Sequence, residues 1–435
     1  MQVIAAPNRL PPFIAYTLLF LVFTSTFRIF ATLPLENLHQ SLSSFAIILL
    51  SVYYIFSLFL NIRDKKVTRL DVLMWIFILV NFFAAYQGHA IFRQPYYYGI
   101  MAQRSVLLSL SGILLISLLR KGWITIEQVE RSFVFISLAL LIVFYFFFLF
   151  VNPVKFTDME FVAYSPIRGY RYRFQFALVI MLLFYSLFKV SHERKNGYMI
   201  IVLLIIFYLV YFLQSRTTLV VLAFTLMVYF FRNFSLREKI RNTLIYGSLI
   251  FVGVTLLFSL GYTSLFDKYH VLYSNVYNIF FGETSDEASS AVRFMEYNIA
   301  LDYIEKNPIL GNGFISNQWN GGWHEILGYF YPVDIGLLGN IFVFGILGTC
   351  LIYLPYYFCL NMSRQVHSNH VFFKTIEYML LFFFLCMFFS AVNIRDSSSI
   401  MFLVCLLYYF RYDYFGSTVA ELDEPLEPVI AEKLA

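Results

Sequence analysis

Charge is what this sequence has least of. Asp, Glu, Lys and Arg make up 13% of its 435 residues, against about 25% in an ordinary soluble domain. A fully water-facing globular surface is therefore excluded. Cysteine is scarce too: Cys350, Cys359, Cys386 and Cys405 all lie in or beside apolar runs, with no CxxC spacing. That excludes a disulfide framework or thiolate metal cluster and leaves core packing. There is no P-loop, no GxGxxG opening a helix and no GxSxG elbow, so nucleotide-driven chemistry and serine hydrolysis have no support. Nothing points to nucleic acid. No His–Cys cluster has metal-ligand spacing. The acidic pairs Asp158/Glu160 and Asp286/Glu287 read as solvated loop, so no metal and no cofactor are expected. Internal repeats and low-complexity tracts are missing as well.

What the chain has in abundance is apolar length. Hydrophobic residues are 60% and aromatics 20%, gathered in runs of roughly 17–23 residues, long enough to cross a bilayer as helices. These runs lack the alternation of a membrane β-barrel. The fold class expected is an all-α polytopic membrane protein with about twelve transmembrane helices, at 11–33, 42–62, 70–88, 99–119, 132–151, 174–190, 198–214, 217–231, 243–261, 333–357, 374–392 and 400–410. The first run has no cleavage site and is expected to stay as an anchor. Lys and Arg concentrate in alternate loops, which places both termini on the inner side. The organisation expected is nine spans over 1–260, a large outer loop over 261–332, three more spans over 333–412, and an acidic, disordered inner tail over 413–435.

The polar stretch from Ser289 to Gly339 stands apart. Its start reads as an amphipathic helix with Phe294, Tyr297, Leu301 and Ile304 on one face and Arg293, Glu296, Asp302 and Glu305 off it. Asn307-Pro308 stops the helix, and the glycine-rich Gly311-Asn312-Gly313 and Gly321-Gly322 follow. His324 is the stretch's one histidine; its imidazole can accept or orient a hydroxyl proton near neutral pH. Glu296, Glu325 and Asp334 are further candidates, with Asp334 expected to be desolvated at the end of a span.

Nine arginines fall on the outer side or at outer helix ends: Arg28, Arg93, Arg104, Arg168, Arg171, Arg173, Arg216, Arg293 and Arg395. Lipid snorkelling explains any one of them. As a set they favour an anionic substrate, because guanidinium grips phosphate in a planar, bidentate way. Arg216 sits in a tight turn between two spans. Arg168, Arg171 and Arg173 alternate with tyrosines able to stack on sugar rings.

At these residues the chain resembles the O-antigen ligase and O-antigen polymerase family of bacterial envelope glycosyltransferases. The likeness rests on Ser215-Arg216-Thr217, on Arg293 followed by Asn307-Pro308-Ile309-Leu310-Gly311-Asn312-Gly313, and on His324 followed by Gly336-Leu337-Leu338-Gly339. The resemblance implies an inverting, metal-independent enzyme of the GT-C class in the bacterial inner membrane, its site facing the periplasm. Its partners would be undecaprenyl-pyrophosphate-linked glycan, a glycan acceptor and membrane lipid, with room for a chain-length regulator. It assigns Arg216 and Arg293 to the pyrophosphate and His324 to the acceptor hydroxyl. Arg168, Arg171, Arg173, Glu296, Glu325 and Asp334 complete the expected substrate-binding set. The spacer from His324 to Gly336 is one residue longer than the ligase pattern, and Glu325 stands where an amide or serine is usual. The arginine-rich third outer loop (Arg168, Arg171, Arg173) together with the large outer loop resembles the two-loop arrangement of polymerases. A ligase that differs only in its acceptor is the alternative, and a lipid-linked oligosaccharide flippase the second.

Overall fold

The computed structural model describes residues 9–32, 35–63, 67–156, 162–165, 169–233, 237, 288–328, 330–366 and 368–416. Helices dominate, and they pack side by side. In chain order they begin with α1 (Pro12–Thr26), α2 (Glu36–Arg63), α3 (Arg69–Phe92), α4 (Tyr96–Gln103), α5 (Leu110–Arg120) and α6 (Ile126–Phe150). Next come α7 (Ala177–Glu193), α8 (Tyr198–Phe207), α9 (Arg216–Asn233), α10 (Ala288–Lys306) and α11 (Trp323–Leu327). The last are α12 (Gly336–Arg364), α13 (Val371–Phe389) and α14 (Val392–Tyr409). Six helical stretches among the described residues are long and apolar enough to cross a membrane: Leu38–Asn61, Arg69–Phe92, Tyr96–Arg120, Ile126–Phe150, Pro332–Arg364 and Val371–Phe389. The ninth expected span, at 243–261, lies outside the described residues, as do 261–287 of the expected outer loop and 417–435 of the expected tail.

Local chemistry sets several helix ends. Thr68 with Asp71, and Thr125 with Gln128, form capping boxes that satisfy amides at the starts of α3 and α6. Ser215 occupies the same place before α9. Its Oγ accepts from the Thr218 amide at 3.4 Å and pairs with Thr218 Oγ1 at 2.8 Å. The chain reaches Ser215 through a π-helical turn, Tyr208–Leu213, and through Gln214 at φ 49°. Two residues, Gln214 and Ser215, therefore suffice between that turn and α9.

The sequence reading differs from the fold at two elements. The segment before α7 is not simple loop: β1 (Val162–Ser165) and β2 (Gly169–Tyr172) form an antiparallel hairpin, with Tyr164 opposite Tyr170. Its base is held because Tyr172 is buried against Phe147, Phe148 and Phe174 and donates to the Val151 carbonyl at 3.1 Å. The last span is also longer than expected, starting at Val392 and carrying Asp396-Ser397-Ser398-Ser399 buried inside. Those polar residues looked like loop. Here Ser398 and Ser399 donate to the Thr26 carbonyl (2.8 and 3.1 Å), and Thr26 bonds Ser111 at 2.7 Å. A hydroxyl in a helix interior is tolerated when a neighbouring helix satisfies it.

The bundle is organised around α13, which packs against α7, α9, α12 and α14. Its direction follows from a buried ionic knot at its start. Glu377 pairs with Arg232 at the end of α9 (2.5 Å) and with Lys374 (3.1 Å), and it accepts from Ser363 at the end of α12. The starts of α9 and α12 therefore lie beside the end of α13, on one face of the bundle. That face carries every candidate residue described below.

Candidate functional site

The first part of the site is a clasp. At Gly345 (φ 66°, ψ 178°) α12 is broken in mid-course. A break inside an apolar bundle strands backbone groups that must find partners. The segment after α10 supplies them. The Asn312 and Gly313 amides donate to the Phe342 and Val343 carbonyls (2.7 and 2.9 Å). The Ile346 and Leu347 amides donate to the Pro308 and Ile309 carbonyls (2.9 and 3.1 Å). On its other side the Phe314 amide donates to the Ala84 carbonyl of α3 at 2.8 Å. Two glycines make this approach possible. A Cβ on Gly345 would fall 2.2 Å from the Ile309 carbonyl oxygen, and one on Gly313 would fall 2.0 Å from the Gly88 amide nitrogen. Asn312 is buried and bonds Asn307 (2.9 Å) across the turn.

Gln94 fastens the next residues. Its Nε2 donates to the Phe314 carbonyl (3.0 Å), and its Oε1 accepts from the Ser316 amide (2.7 Å). Trp323 then plugs into Phe92, Phe314, Phe330 and Phe342. The helical turn that begins at Trp323 is thereby anchored, with His324 half-exposed next to it. His324 Nδ1 lies 3.0 Å from Glu325 Oε1. When Nδ1 carries the proton, the carboxylate accepts it and Nε2 presents a lone pair.

Glu296 is the surprise. The face of α10 that packs inward carries Glu296 (1% exposed) and Ala300 (0%), while Phe294 is 64% and Leu301 45% exposed. The expected assignment of faces fails at Glu296, which turns inward, and at Phe294 and Leu301, which turn outward, while Ile304 packs against the core and Arg293, Asp302 and Glu305 stay exposed. Packing of α10 against α12 and against the 3-10 turn Pro332–Ile335 fixes the helix rotation, which overrides its apolar stripe. Glu296 Oε1 accepts from the Tyr331 amide at 3.0 Å. Burial foremost, and the Asp334 charge second, push its carboxyl up to about 7; the Tyr331 hydrogen bond and Arg293 oppose the rise. Asp334, expected to be the desolvated acid, is exposed instead, because it sits on the 3-10 turn that opens the Pro332–Arg364 stretch.

The arginines form a second group. Arg171, on β2, directs Nη1 at the Leu213 carbonyl, 3.5 Å away, just ahead of the Ser215–Arg216 turn. Arg173 is exposed beyond the hairpin, and Arg216 opens α9. The Arg216 side chain and the whole of Arg168 lie outside the described residues. Arg293 is exposed on α10, one turn before Glu296. The structure thus gathers Glu296, Asp334, Arg293, His324 and Glu325 around Tyr331, and Arg171 around the 213–216 turn. The end of α13 stands between the two groups on the shared face.

Residues 201–353 match the O-antigen ligase family. Over that stretch, about a third of the chain, the protein is similar to O-antigen ligases. The matched stretch runs from α8 past the break in α12, so it holds Arg216, Arg293, the clasp and His324. No curated protein matches the chain. Cationic side chains and hydrogen-bond acceptors both occur on the one face. Sequence reasoning missed Gln94 and Tyr331. Gln94 precedes a proline at a helix-breaking elbow, which was a usable signal. Tyr331 acts through its backbone, which leaves no trace in side-chain identity.

Proposed function

We propose that this protein polymerises glycan repeat units, transferring glycan from a polyprenyl pyrophosphate, expected to be undecaprenyl pyrophosphate, to the end of another lipid-linked unit on the periplasmic face. The observation that carries this reading is the junction of the arginine hairpin with the Ser215–Arg216 turn, Arg171 reaching the Leu213 carbonyl. It sets the arginine-bearing third outer loop, which together with the large outer loop resembles the two-loop arrangement of polymerases, against the turn that carries Arg216. Guanidinium groups set in advance at a departing pyrophosphate lower the barrier without reorganisation. In this reading Arg216 and Arg293 hold the pyrophosphate, Arg171 and Arg173 extend the grip towards the glycan, and His324 takes the acceptor hydroxyl proton. Glu325 holds the imidazole by its Nδ1. The C–O bond to the pyrophosphate breaks as the acceptor oxygen bonds to the anomeric carbon from the opposite side, so the linkage inverts. Positioning the two sugars supplies much of the acceleration.

The ligase reading, with a lipopolysaccharide core sugar as acceptor, is favoured by the description of the matched family. A deletion strain complemented with wild type, Arg216→Ala, Arg293→Ala and His324→Ala separates the two on a polysaccharide gel. A core bearing one repeat unit identifies a polymerase. Bare core with long polymer retained on carrier lipid identifies a ligase. An unchanged ladder in the deletion refutes both, and full complementation by all three variants refutes the site.

A further inference from the structure

The chain between His324 and α12 leaves α11 at an open position and is fixed further on. It leaves α11 through Gly328, exposed at φ 64°, where an added Cβ would touch nothing. Phe330 is fully buried against Trp323 and Phe342. Tyr331 follows, its ring 6.2 Å from the His324 ring, and its amide donates to Glu296. The Tyr331 ring is thus the neighbour of the imidazole, and the Tyr331 backbone is where α10 takes hold of the segment.

Glu296 itself does not face solvent. It is 1% exposed, and its Oε2 is buried with no hydrogen-bond partner. A carboxyl in that place is costly unless it does something that an apolar residue would not. The charged groups facing it are Asp334 from the 3-10 turn and Arg293 from its own helix.

We propose that Glu296 is a positioning residue: its carboxyl pins the Tyr331 amide to α10, so that the His324-bearing segment keeps one conformation, and it does not touch substrate. This deepens the reading of His324 given above and rests on it. The physical reason is local. A segment that leaves Gly328, where no neighbour would meet a side chain, takes its direction from its next fixed point. Phe330 fixes its depth, and the Tyr331 amide fixes its rotation. A glutamine at position 296 still offers an oxygen to that amide, whereas an alanine does not.

The test uses the full chain in lipid nanodiscs with a lipid-linked glycan as donor. Hydrogen exchange is followed across residues 323–335, beside the rate of transfer, for wild type, Glu296→Gln and Glu296→Ala. The expected result for Glu296→Ala is roughly a tenfold loss of protection at Tyr331 and a fall in kcat with donor KM unchanged. Glu296→Gln should keep wild-type protection and restore most of kcat. Unchanged protection in Glu296→Ala overturns the proposal. So does a Glu296→Gln variant that keeps its protection yet loses as much rate as Glu296→Ala, since Glu296 would then act on substrate. His324→Ala in the same assay tests the site separately: full activity there refutes the role of His324, whereas the Tyr331 exchange decides the role of Glu296.

Discussion

Replacing Gly345 with alanine should open the clasp. At φ 66° and ψ 178° the backbone is in a region held almost only by glycine, and a side chain there costs about 1–3 kcal/mol. The added Cβ would also stand 2.2 Å from the Ile309 carbonyl oxygen and 2.4 Å from the Gly311 nitrogen. Relief requires the Pro308–Gly313 segment to draw back, which breaks at least the Ile346 and Leu347 bonds to Pro308 and Ile309. Two such bonds contribute about 2 kcal/mol. The sum is about 3–5 kcal/mol of local stability, at least a hundredfold in the opening equilibrium at 1.4 kcal/mol per decade. Hydrogen exchange across 340–350 reads this directly, with Gly197→Ala as a control. Gly197 lies at the opposite end of the bundle with φ −57° and nothing within 4 Å of an added Cβ, so its exchange should stay within a few tenths of a kcal/mol of wild type or be slightly slower. Transfer activity should fall together with protection in Gly345→Ala, because the clasp carries the segment that ends at His324. Wild-type protection at 342–347 in Gly345→Ala would refute the claim that the clasp holds this break.

Glu296 gives a pH dependence with a definite sign. Its folded value of about 7 lies above the ordinary carboxyl value of 4.5, so the folded chain binds the proton more tightly. Stability should be unaffected below about pH 4.5 and should fall as pH rises from there through 7, by at most about 3 kcal/mol. Glu296→Gln should flatten that slope in thermal unfolding scans, and an unaltered slope would exclude Glu296 as its source. Arg171→Ala should lower transfer roughly tenfold to a hundredfold with little change in unfolding temperature, and Arg171→Lys should recover only part of the rate. Full activity in Arg171→Ala would separate the hairpin from the site. Glu325→Ala should reduce transfer several-fold and Glu325→Gln should restore it, since the amide oxygen can still accept from Nδ1. Equal rates in both variants would show that Glu325 does not orient the ring.

The helices were legible because a membrane span needs a long apolar run and little else. The misreadings of the last span and of α10 have one cause. Asp396 and the serines after it read as loop because a single sequence does not show the Thr26 carbonyl that receives two of them. The rotation of α10 was misread for the same reason: its stripe of Phe294 and Leu301 is a local signal, and packing against α12 is not. Arg171 and the 213–216 turn are 42 residues apart between Arg171 and Leu213, and only the fold unites them. His324 stood out as the lone imidazole among glycines, whereas the bond from the Tyr331 amide to Glu296 runs through the main chain and could not be read.

The family motif divides into parts with different physics. Asn312 and Gly313 of the Asn-Pro-x-x-Gly-x-Gly run donate main-chain amides to a broken helix, and Asn307 bonds Asn312 across the turn. Ser215 of the Ser-Arg turn caps α9. These residues build; their identities are explained by backbone approach and amide satisfaction, with no substrate required. Arg293, His324 and Glu325 remain exposed or half-exposed, and none of them is needed to close the clasp. Arginine and histidine at such positions gain nothing from packing. What they can gain is a charged or hydroxylated ligand, and the clasp supplies the rigidity that makes a fixed guanidinium or imidazole more useful than a mobile one. Variants of the two classes should therefore separate cleanly: changes in the building residues lower exchange protection and activity together, whereas changes at Arg293 and His324 lower activity alone. A His324→Ala variant that lost protection across 309–316 would place it among the building residues and remove the ground for assigning it chemistry.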